Sequence, residues 1–372
     1  MKRLSLLLTV LALVLSMVLA ISGCGRKEAQ KPPETSIGEP GPSAPATGKK
    51  LSDFIEPLDP PVKVTVGLKQ VISDSGVLIG VAKNYYKDLG IEIEMTQFAT
   101  GQDMINALAA GQLDVGCTVT ASGLFNAMIR GLPVKVVADK GINVPDMGYY
   151  RLVIRSDLKD TIKDFTDLKG RKLAIVGTAS LDEIALDRCL NAGGLTLEDV
   201  DVQVIRSFPD IIAAMSNGSI DGGMVIEPFV TQAIELGIAD PWKDPKEYDP
   251  DAQTALLVYG KSILERPEVA KRFMVAYIQA LRDYNDAFFH DKGKDEIIDI
   301  LVKYSTVTDK ALYDKMYPTG LNPDGYVRMK GVQMDLDWYK ARGLLMGDLT
   351  AEQAVDNSYV DFALSVLGKY GE

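Results

Sequence analysis

Short apolar runs alternate with longer amphipathic stretches between residues 62 and 259. The short runs, often apolar at every second position, predict β-strands, and apolar residues spaced every three or four positions predict α-helices. Strands are predicted at 62–67, 91–98, 134–138, 148–155, 172–176, 202–205 and 255–259, with helices at 78–87, 123–130, 180–190 and after Pro228. Beyond them only helices are predicted, at 267–289, 293–304, 308–316, 328–341 and 359–368. This alternation predicts an α/β protein with βαβ units and mostly parallel sheets.

One block of sequence occurs twice, 107 residues apart and without a gap: DMINALAAGQLDVGC at 103–117 and DIIAAMSNGSIDGGM at 210–224. Each copy predicts a helix opened by Asp, a Gly that ends it in a left-handed conformation, and a short buried strand. A unit built twice indicates two similar lobes, with a ligand in the cleft between them. The alternative is that a helix–Gly–strand pattern recurs by chance.

The N-terminus is typical of an exported protein. Lys2 and Arg3 precede an apolar run over 6–21 and small residues, which predicts a signal peptide over 1–23. The sequence Ile21-Ser22-Gly23-Cys24 resembles the lipobox of bacterial lipoproteins, in which the cysteine is acylated and holds the protein on the membrane. An ordinary signal peptide followed by a chance cysteine is the alternative.

The remaining chain is divided by composition. Residues 24–60 are rich in Pro, Gly, Ser and Thr, and we expect a disordered tether after the lipidated cysteine. The predicted elements then assign 61–150 to the first part of lobe I, 151–253 to lobe II, and 254–372 to the return into lobe I with C-terminal helices.

Composition argues against several functions. The formal net charge of −11 disfavours a nucleic-acid partner and charge-driven binding to anionic lipid. His290 is the only histidine, and Cys117 and Cys189 fall in different predicted lobes. Without a nucleophile elbow, a metal-ligand spacing or a phosphate-binding glycine loop, we expect no enzymatic activity, no metal and no cofactor.

Ligands of parallel α/β sheets bind beyond the carboxyl ends of the strands, where helices begin. Several of these loops carry hydroxyl or Gly residues, which together with a helix N-terminus can hold an anion, although Ser and Thr there also serve as ordinary caps. The candidate ligand residues are Lys69, Gln70, Ser73, Asp74, Ser75, Thr100, Gly101, Thr118, Thr120, Ser122, Arg151, Thr178, Ser180, Phe208 and Glu227.

The segments VKVTVGLKQ, LKGRKLAIVGTASLDEIAL and DGGMVIEPF, with the first repeat, resemble periplasmic solute-binding proteins of ABC importers. The subgroup is the nitrate/sulfonate/taurine type, which also contains binders of thiamin-pyrimidine precursors. The resemblance covers 62–369. It implies a two-lobed periplasmic-binding-protein fold of type II, each lobe a sheet flanked by helices, with an ABC permease and ATPase as partners. We expect a monomer, anchored by lipid on the outer face of the cell membrane.

The nature of the ligand stays open. Hydroxyl-rich helix starts favour an oxyanion, whereas the acidic residues Asp74, Asp182, Glu183 and Glu227 would pair with an amine or a ring N–H. A zwitterion such as taurine satisfies both. The alternative for Asp182 and Glu183 is that they complement the helix dipole in a first turn. Ile226 stands where the family often has Trp, which removes one stacking surface for an aromatic ligand.

Three alternative functions remain. A binder of a heterocyclic vitamin precursor would use the acidic residues, and a ligand-sensing lipoprotein would present its closed form to a receptor. The same fold also serves a pyrimidine synthase, whose His and Cys chemistry this chain lacks. In the transport interpretation the lobes close by hinge rotation near 148–156 and 250–256.

Overall fold

The computed structural model describes residues 50–98, 101–144 and 150–371. The strands are β1 (Val62–Leu68), β2 (Ile91–Gln97), β3 (Val115–Val119), β4 (Lys135–Ile142), β5 (Arg151–Arg155), β6 (Lys172–Ile175), β7 (Asp201–Val204), β8 (Gly222–Val225), β9 (Ala239–Pro241) and β10 (Gln253–Tyr259). The predicted signal peptide, Cys24 and the tether up to residue 49 lie outside the described residues.

Helices separate and follow these strands. They are α1 (Ser75–Ala82), α2 (Tyr85–Asp88), α3 (Gly101–Ala109), α4 (Ser122–Ile129), α5 (Leu181–Asn191), α6 (Phe208–Ser216), α7 (Phe229–Glu235), α8 (Pro245–Tyr248), α9 (Lys261–Leu264), α10 (Pro267–His290), α11 (Lys294–Tyr304), α12 (Met329–Ala341), α13 (Ala351–Ala354) and α14 (Ser358–Leu367). Within the described ranges, none of them combines the length and the apolar character needed to cross a bilayer.

The strands form two five-stranded sheets with the same topology. The first has the order β2-β1-β3-β10-β4 and the second β7-β6-β8-β5-β9. In each sheet one strand runs against its neighbours: β10 is antiparallel to β3 and β4, and β5 is antiparallel to β8 and β9. We call the first sheet with its helices lobe I and the second lobe II. The predicted fold class, two lobes each with a mostly parallel sheet, is confirmed.

The sequence repeat forms α3–β3 in lobe I and α6–β8 in lobe II. In lobe I, Asp114 Oδ2 accepts hydrogen bonds from Thr65 N at 2.8 Å and Thr65 Oγ1 at 3.0 Å. At the equivalent position of lobe II, Asp221 Oδ2 accepts from Lys172 N at 3.0 Å. The second aspartate of each copy therefore ties the repeat to the strand that pairs in parallel with its own strand, β1 in lobe I and β6 in lobe II.

The ends of the repeat helices differ in one respect from the prediction. Gly111 and Gly218 follow the helices with φ of 71° and 77°, the left-handed conformation expected of a glycine stop. Asp103 and Asp210, however, lie in the first turn and do not open the helices. In lobe II the cap is Ser207, whose Oγ accepts from Asp210 N at 3.4 Å. The carboxylates still face the positive end of the helix dipole.

Each sheet is buried on both faces, as sheets of this class require. Along β10, Leu257 and Tyr259 join the apolar cluster beneath α1 and α10, whereas Leu256 and Val258 join the cluster beneath α4 and α12. The long helix α10 is amphipathic and contributes a row of fully buried residues, including Phe273 and Tyr277.

Some predicted elements differ from the structure. Residues 51–58, expected within the tether, pack on lobe I: Leu51 is buried, and Leu58 N donates to Leu89 O at 3.1 Å. The predicted helix 78–87 is two helices, because Asn84 between them has φ of 60°. The helix predicted at 308–316 is a 3-10 helix over Lys310–Asp314, and β9 was not predicted. The strand predicted at 148–155, beside one of the expected hinges, is β5, which pairs only with strands of lobe II.

Candidate functional site

The two lobes meet directly through two of the predicted ligand loops. Ser122 N, after β3 of lobe I, donates to Ala179 O at 3.1 Å, and Leu181 N, after β6 of lobe II, donates to Thr120 O at 3.0 Å. Ala121 and Ser180 thus form an isolated antiparallel bridge between the lobes. Two backbone hydrogen bonds thus pair loops that are distant in the sequence, and the lobes are closed at this position.

The loop after β1 is shaped by a buried ion pair. Asp74 is fully buried and its Oδ1 lies 2.9 Å from Lys140 Nζ, while its Oδ2 accepts from Lys69 N at 3.2 Å and Val71 N at 3.0 Å. Lys140 Nζ also donates to Ser73 Oγ at 2.6 Å. Ser73 and Asp74 thus fix the path of this loop from inside lobe I.

Ser75 and Gln70 belong to the same loop. Ser75 is buried and its Oγ donates to Ile72 O at 2.5 Å, which closes the turn before α1. Gln70 is half-buried, has φ of 59°, and accepts from Thr306 N at 2.8 Å through its carbonyl. Whether any of these loop residues contacts a ligand stays a prediction.

Lys69 and Asp182 bring opposite charges to the boundary from different lobes. Burial and the neighbouring Lys140 lower the pKa of Lys69, against the opposing effect of Asp182 and Asp74. Burial raises the pKa of Asp182, against the effect of hydrogen bonds from Tyr150 and Ser180 and of the Lys69 charge. Lys69 and Asp182 are therefore close enough to interact although their loops belong to separate sheets.

Residues around the start of α5 form hydrogen bonds with one another. Ala179, with φ of 52°, donates its N–H to Glu183 Oε2 at 2.7 Å. Ser180 Oγ donates to Asp182 Oδ2 at 3.0 Å. Thr178 is exposed beside this turn. The alternative reading of Glu183 as a partner of the helix start agrees with these contacts.

Thr118 near the end of β3 and Thr120 just after it have different surroundings. Thr118 is buried, and its Oγ1 has no hydrogen-bond partner among the described residues. A Cβ on Gly101, the first residue of α3, would lie 3.1 Å from that hydroxyl, so the helix start is adjacent to it. Thr120 instead lies beside Asp335 and Tyr339 of α12. Thr100 lies outside the described residues.

Arg151 and Glu227 form a second polar group at the boundary. Arg151 is buried, its guanidinium carbon lies 4.1 Å from the centre of the Tyr317 ring, and its Nη2 has no hydrogen-bond partner in the part of the chain that the structure describes. Glu227 accepts from Thr231 N at 3.1 Å, Thr231 Oγ1 at 3.0 Å and Tyr317 N at 3.1 Å. Burial raises the pKa of Glu227, against the effect of these bonds and of Arg151. Tyr317 was missed because it lies far from every predicted ligand loop in the sequence.

A cluster of apolar and aromatic side chains lies beside these polar groups. The Phe208 ring at the start of α6 lies 6.2 Å from that of Tyr150 and 5.4 Å from that of Phe229. Val71 and Val119 of lobe I pack on the same cluster. Aromatic surface is thus present around Ile226, so the missing Trp does not by itself remove a stacking surface.

No group of three or more His, Cys, Asp or Glu side chains across residues 50–98, 101–144 and 150–371 is arranged to hold a metal ion. Cys117 and Cys189 are separate buried thiols, and burial raises the pKa of both.

Comparison with known proteins gives consistent relatives. The family model described as NMT1/THI5 like matches residues 73–286. The taurine-binding periplasmic protein of Escherichia coli is 27% identical over 232 residues, which cover 60% of this chain and 67% of that protein. A 4-amino-5-hydroxymethyl-2-methylpyrimidine phosphate synthase of Schizosaccharomyces pombe is 30% identical over 160 residues, 43% of this chain and 42% of the enzyme.

A solved structure has the same fold. The alkanesulfonate-binding protein SsuA from Xanthomonas axonopodis pv. citri, bound to MOPS, superposes with a TM-score of 0.62 at 19% identity. The match covers 80% of this chain and 99% of that protein.

Proposed function

We propose, because the chain belongs to the NMT1/THI5-like family and its two similar lobes meet through their strand-end loops, that it is the extracytoplasmic solute-binding component of an ABC importer. It would capture a small polar organic ligand between the lobes and deliver it in the closed state to the permease. The export leader and Cys24 would place it on the outer face of the membrane as a lipid-anchored monomer.

One observation carries this proposal. Buried polar groups from both lobes converge on the boundary, and several of their atoms have no hydrogen-bond partner within the described ranges, among them Thr118 Oγ1 and Arg151 Nη2. A buried polar group without a hydrogen bond costs free energy, and a buried charge costs more. A ligand that supplies the missing partners would therefore stabilise the closed state in particular.

The charges favour an organic anion that also carries a cationic or N–H group. Arg151 and the start of α3 beside Thr118 suit an oxyanion, whereas Asp182 and Glu227 suit an amine. A sulfonate zwitterion such as taurine meets both requirements, and bare nitrate meets only the first. The similarity to a taurine-binding protein and to a sulfonate-binding protein supports this class.

Calorimetric titration of the chain without its leader tests the proposal. Taurine, MOPS and nitrate are compared in the wild type and in Arg151→Gln and Thr118→Val. We expect a sulfonate to bind and Arg151→Gln to weaken it by roughly tenfold or more, since a hydrogen bond to a charged group is worth about 1.5–3 kcal/mol. Thr161→Val is the matched control, because its hydroxyl is exposed and donates to Leu158 O at 2.9 Å within lobe II. Equal affinity in all variants would contradict the site.

A binder of a heterocyclic vitamin precursor is the second candidate. The rings of Tyr150, Phe208 and Phe229 offer surface for a flat ligand. Similarity to a pyrimidine phosphate synthase supports the same class. In the same titrations, binding of an aminopyrimidine without binding of any sulfonate would favour this function.

A further inference from the structure

Tyr317 is anchored in lobe I. The segment around it follows α11 and lies against the edge of the first sheet, where Ile142 N donates to Gly320 O at 2.9 Å. Tyr284 of α10 donates its hydroxyl to Thr319 O at 3.1 Å. Ile142 of β4 and Tyr284 of α10 thus hold the backbone next to Tyr317 in place.

Its side chain nevertheless packs on lobe II. The ring lies against the apolar cluster that contains Val153 and Ile211. One ring face covers the guanidinium of Arg151 at 4.1 Å, and the Tyr317 N–H donates to Glu227 Oε1 at 3.1 Å. On the neighbouring surface Lys315 pairs with Glu235 of α7. This short segment of lobe I therefore contacts three charged residues of lobe II.

The stacking controls the orientation of Arg151. A planar guanidinium has no fixed direction about its flexible stem unless a partner holds it. An aromatic face within about 6 Å attracts the cation and leaves the edge of the guanidinium available for hydrogen bonds. Arg151 matches this arrangement, since its Nη2 is buried and has no hydrogen-bond partner within the described parts of the chain.

We propose that Tyr317 is a positioning residue, supplied by lobe I, that orients Arg151 of lobe II for an anionic ligand group only when the lobes are closed. Opening withdraws the ring and leaves the guanidinium mobile, so ligand affinity and lobe closure are coupled at one contact. This inference rests on the proposed function, because it assigns the anion to Arg151.

Arginine reactivity tests the inference without a ligand. The full mature chain is treated with phenylglyoxal, and modification of Arg151 is followed by peptide mass spectrometry against exposed Arg130 as the internal reference. We expect Tyr317→Ala and Tyr317→Leu to accelerate modification at Arg151 by roughly tenfold, and Tyr317→Phe to leave it unchanged because the ring face is retained. Leucine keeps apolar bulk, so it separates stacking from packing.

Binding gives a second readout. With taurine and MOPS as probes, Tyr317→Leu should raise the dissociation rate and Tyr317→Phe should match the wild type. If Arg151 is modified by phenylglyoxal as slowly in Tyr317→Leu as in the wild type, the inference is wrong, whether or not a probe binds. If neither probe binds the wild type, the proposed sulfonate class fails, and the phenylglyoxal rates still decide the role of Tyr317.

Discussion

The contact between α5 and α12 allows the sharpest prediction about lobe association. Arg188 of lobe II lies 2.9 Å from Asp249 Oδ2 and 2.8 Å from Asp335 Oδ1, the latter on α12 of lobe I. Both carboxylates are buried. Next to them Asp187 accepts from Trp338 Nε1 at 2.8 Å and Arg342 Nη2 at 3.0 Å. Arg188→Ala would leave two buried carboxylates without their shared cation.

The expected cost follows from that burial. Removing one partner of a buried ion pair destabilises a protein by about 3–5 kcal/mol. The cost should also depend on pH, because burial raises the pKa of Asp335 to about 7 even with Arg188 present. Below pH 6 Asp335 is largely protonated in the wild type, so the ion pair that Arg188→Ala removes is already weakened. We therefore expect the full loss at pH 8 and a loss smaller by roughly 1–2 kcal/mol at pH 5.

Urea unfolding measures both values. The chain has two tryptophans, and Trp242→Phe leaves Trp338 on α12 as a reporter beside the contact. Lys340→Ala is the matched control, because Lys340 lies on the same helix α12 and its ion pair with Asp348 is exposed. We expect this substitution to leave the midpoint unchanged. An equal loss at both pH values, or a loss under about 1 kcal/mol at pH 8, would refute the reasoning.

Further predictions concern stability within each lobe. Asp114→Asn should cost about 1–3 kcal/mol of stability, because Asp114 accepts hydrogen bonds from Thr65 N and Oγ1 and pairs with Arg266. Asp221→Asn should cost less, because Asp221 accepts from one backbone N–H. Thermal melts rank the two variants, and the reverse order would contradict the assignment. Burial raises the pKa of Asp139 to about 6, against the effect of bonds from two backbone N–H groups and a glutamine side chain. The folded state therefore keeps this proton longer than the unfolded state, so Asp139 lowers the free energy of unfolding as pH rises from about 4 to 6. Carboxyl NMR should show its midpoint near 6, and a midpoint near 4 would contradict the burial argument.

The sequence predicted the lobes well because their signals are local. The repeat is defined by Gly111 and Gly218 and by paired aspartates, and each feature acts within a few residues. Arg151 could be proposed because it begins a strand near a lobe crossing. Thr118 lies at a strand end, where the topology alone places ligand residues.

Other contacts in the structure could not be predicted from the sequence. Ser73 and Asp74 follow a strand, and no local pattern shows that the turn over Ile72–Asp74 directs them inward to Lys140. Tyr317 reaches Arg151 across 166 positions of sequence. The Arg188–Asp335 pair likewise joins distant helices of different lobes. Contacts of this kind depend on how finished elements pack, and periodicity carries no information about that.

The reversed strand occupies the same place in both sheets but arrives at different times during synthesis. In lobe II, β5 is the first strand made, so β8 and β9 can pair with it as soon as they emerge. In lobe I, β10 is the last strand, and β3 and β4 have no common neighbour until residue 259 has been made. Lobe II can therefore complete its sheet while lobe I still lacks the strand that joins β3 to β4, which makes lobe I the lobe exposed to misfolding or to chaperones while the chain is being made.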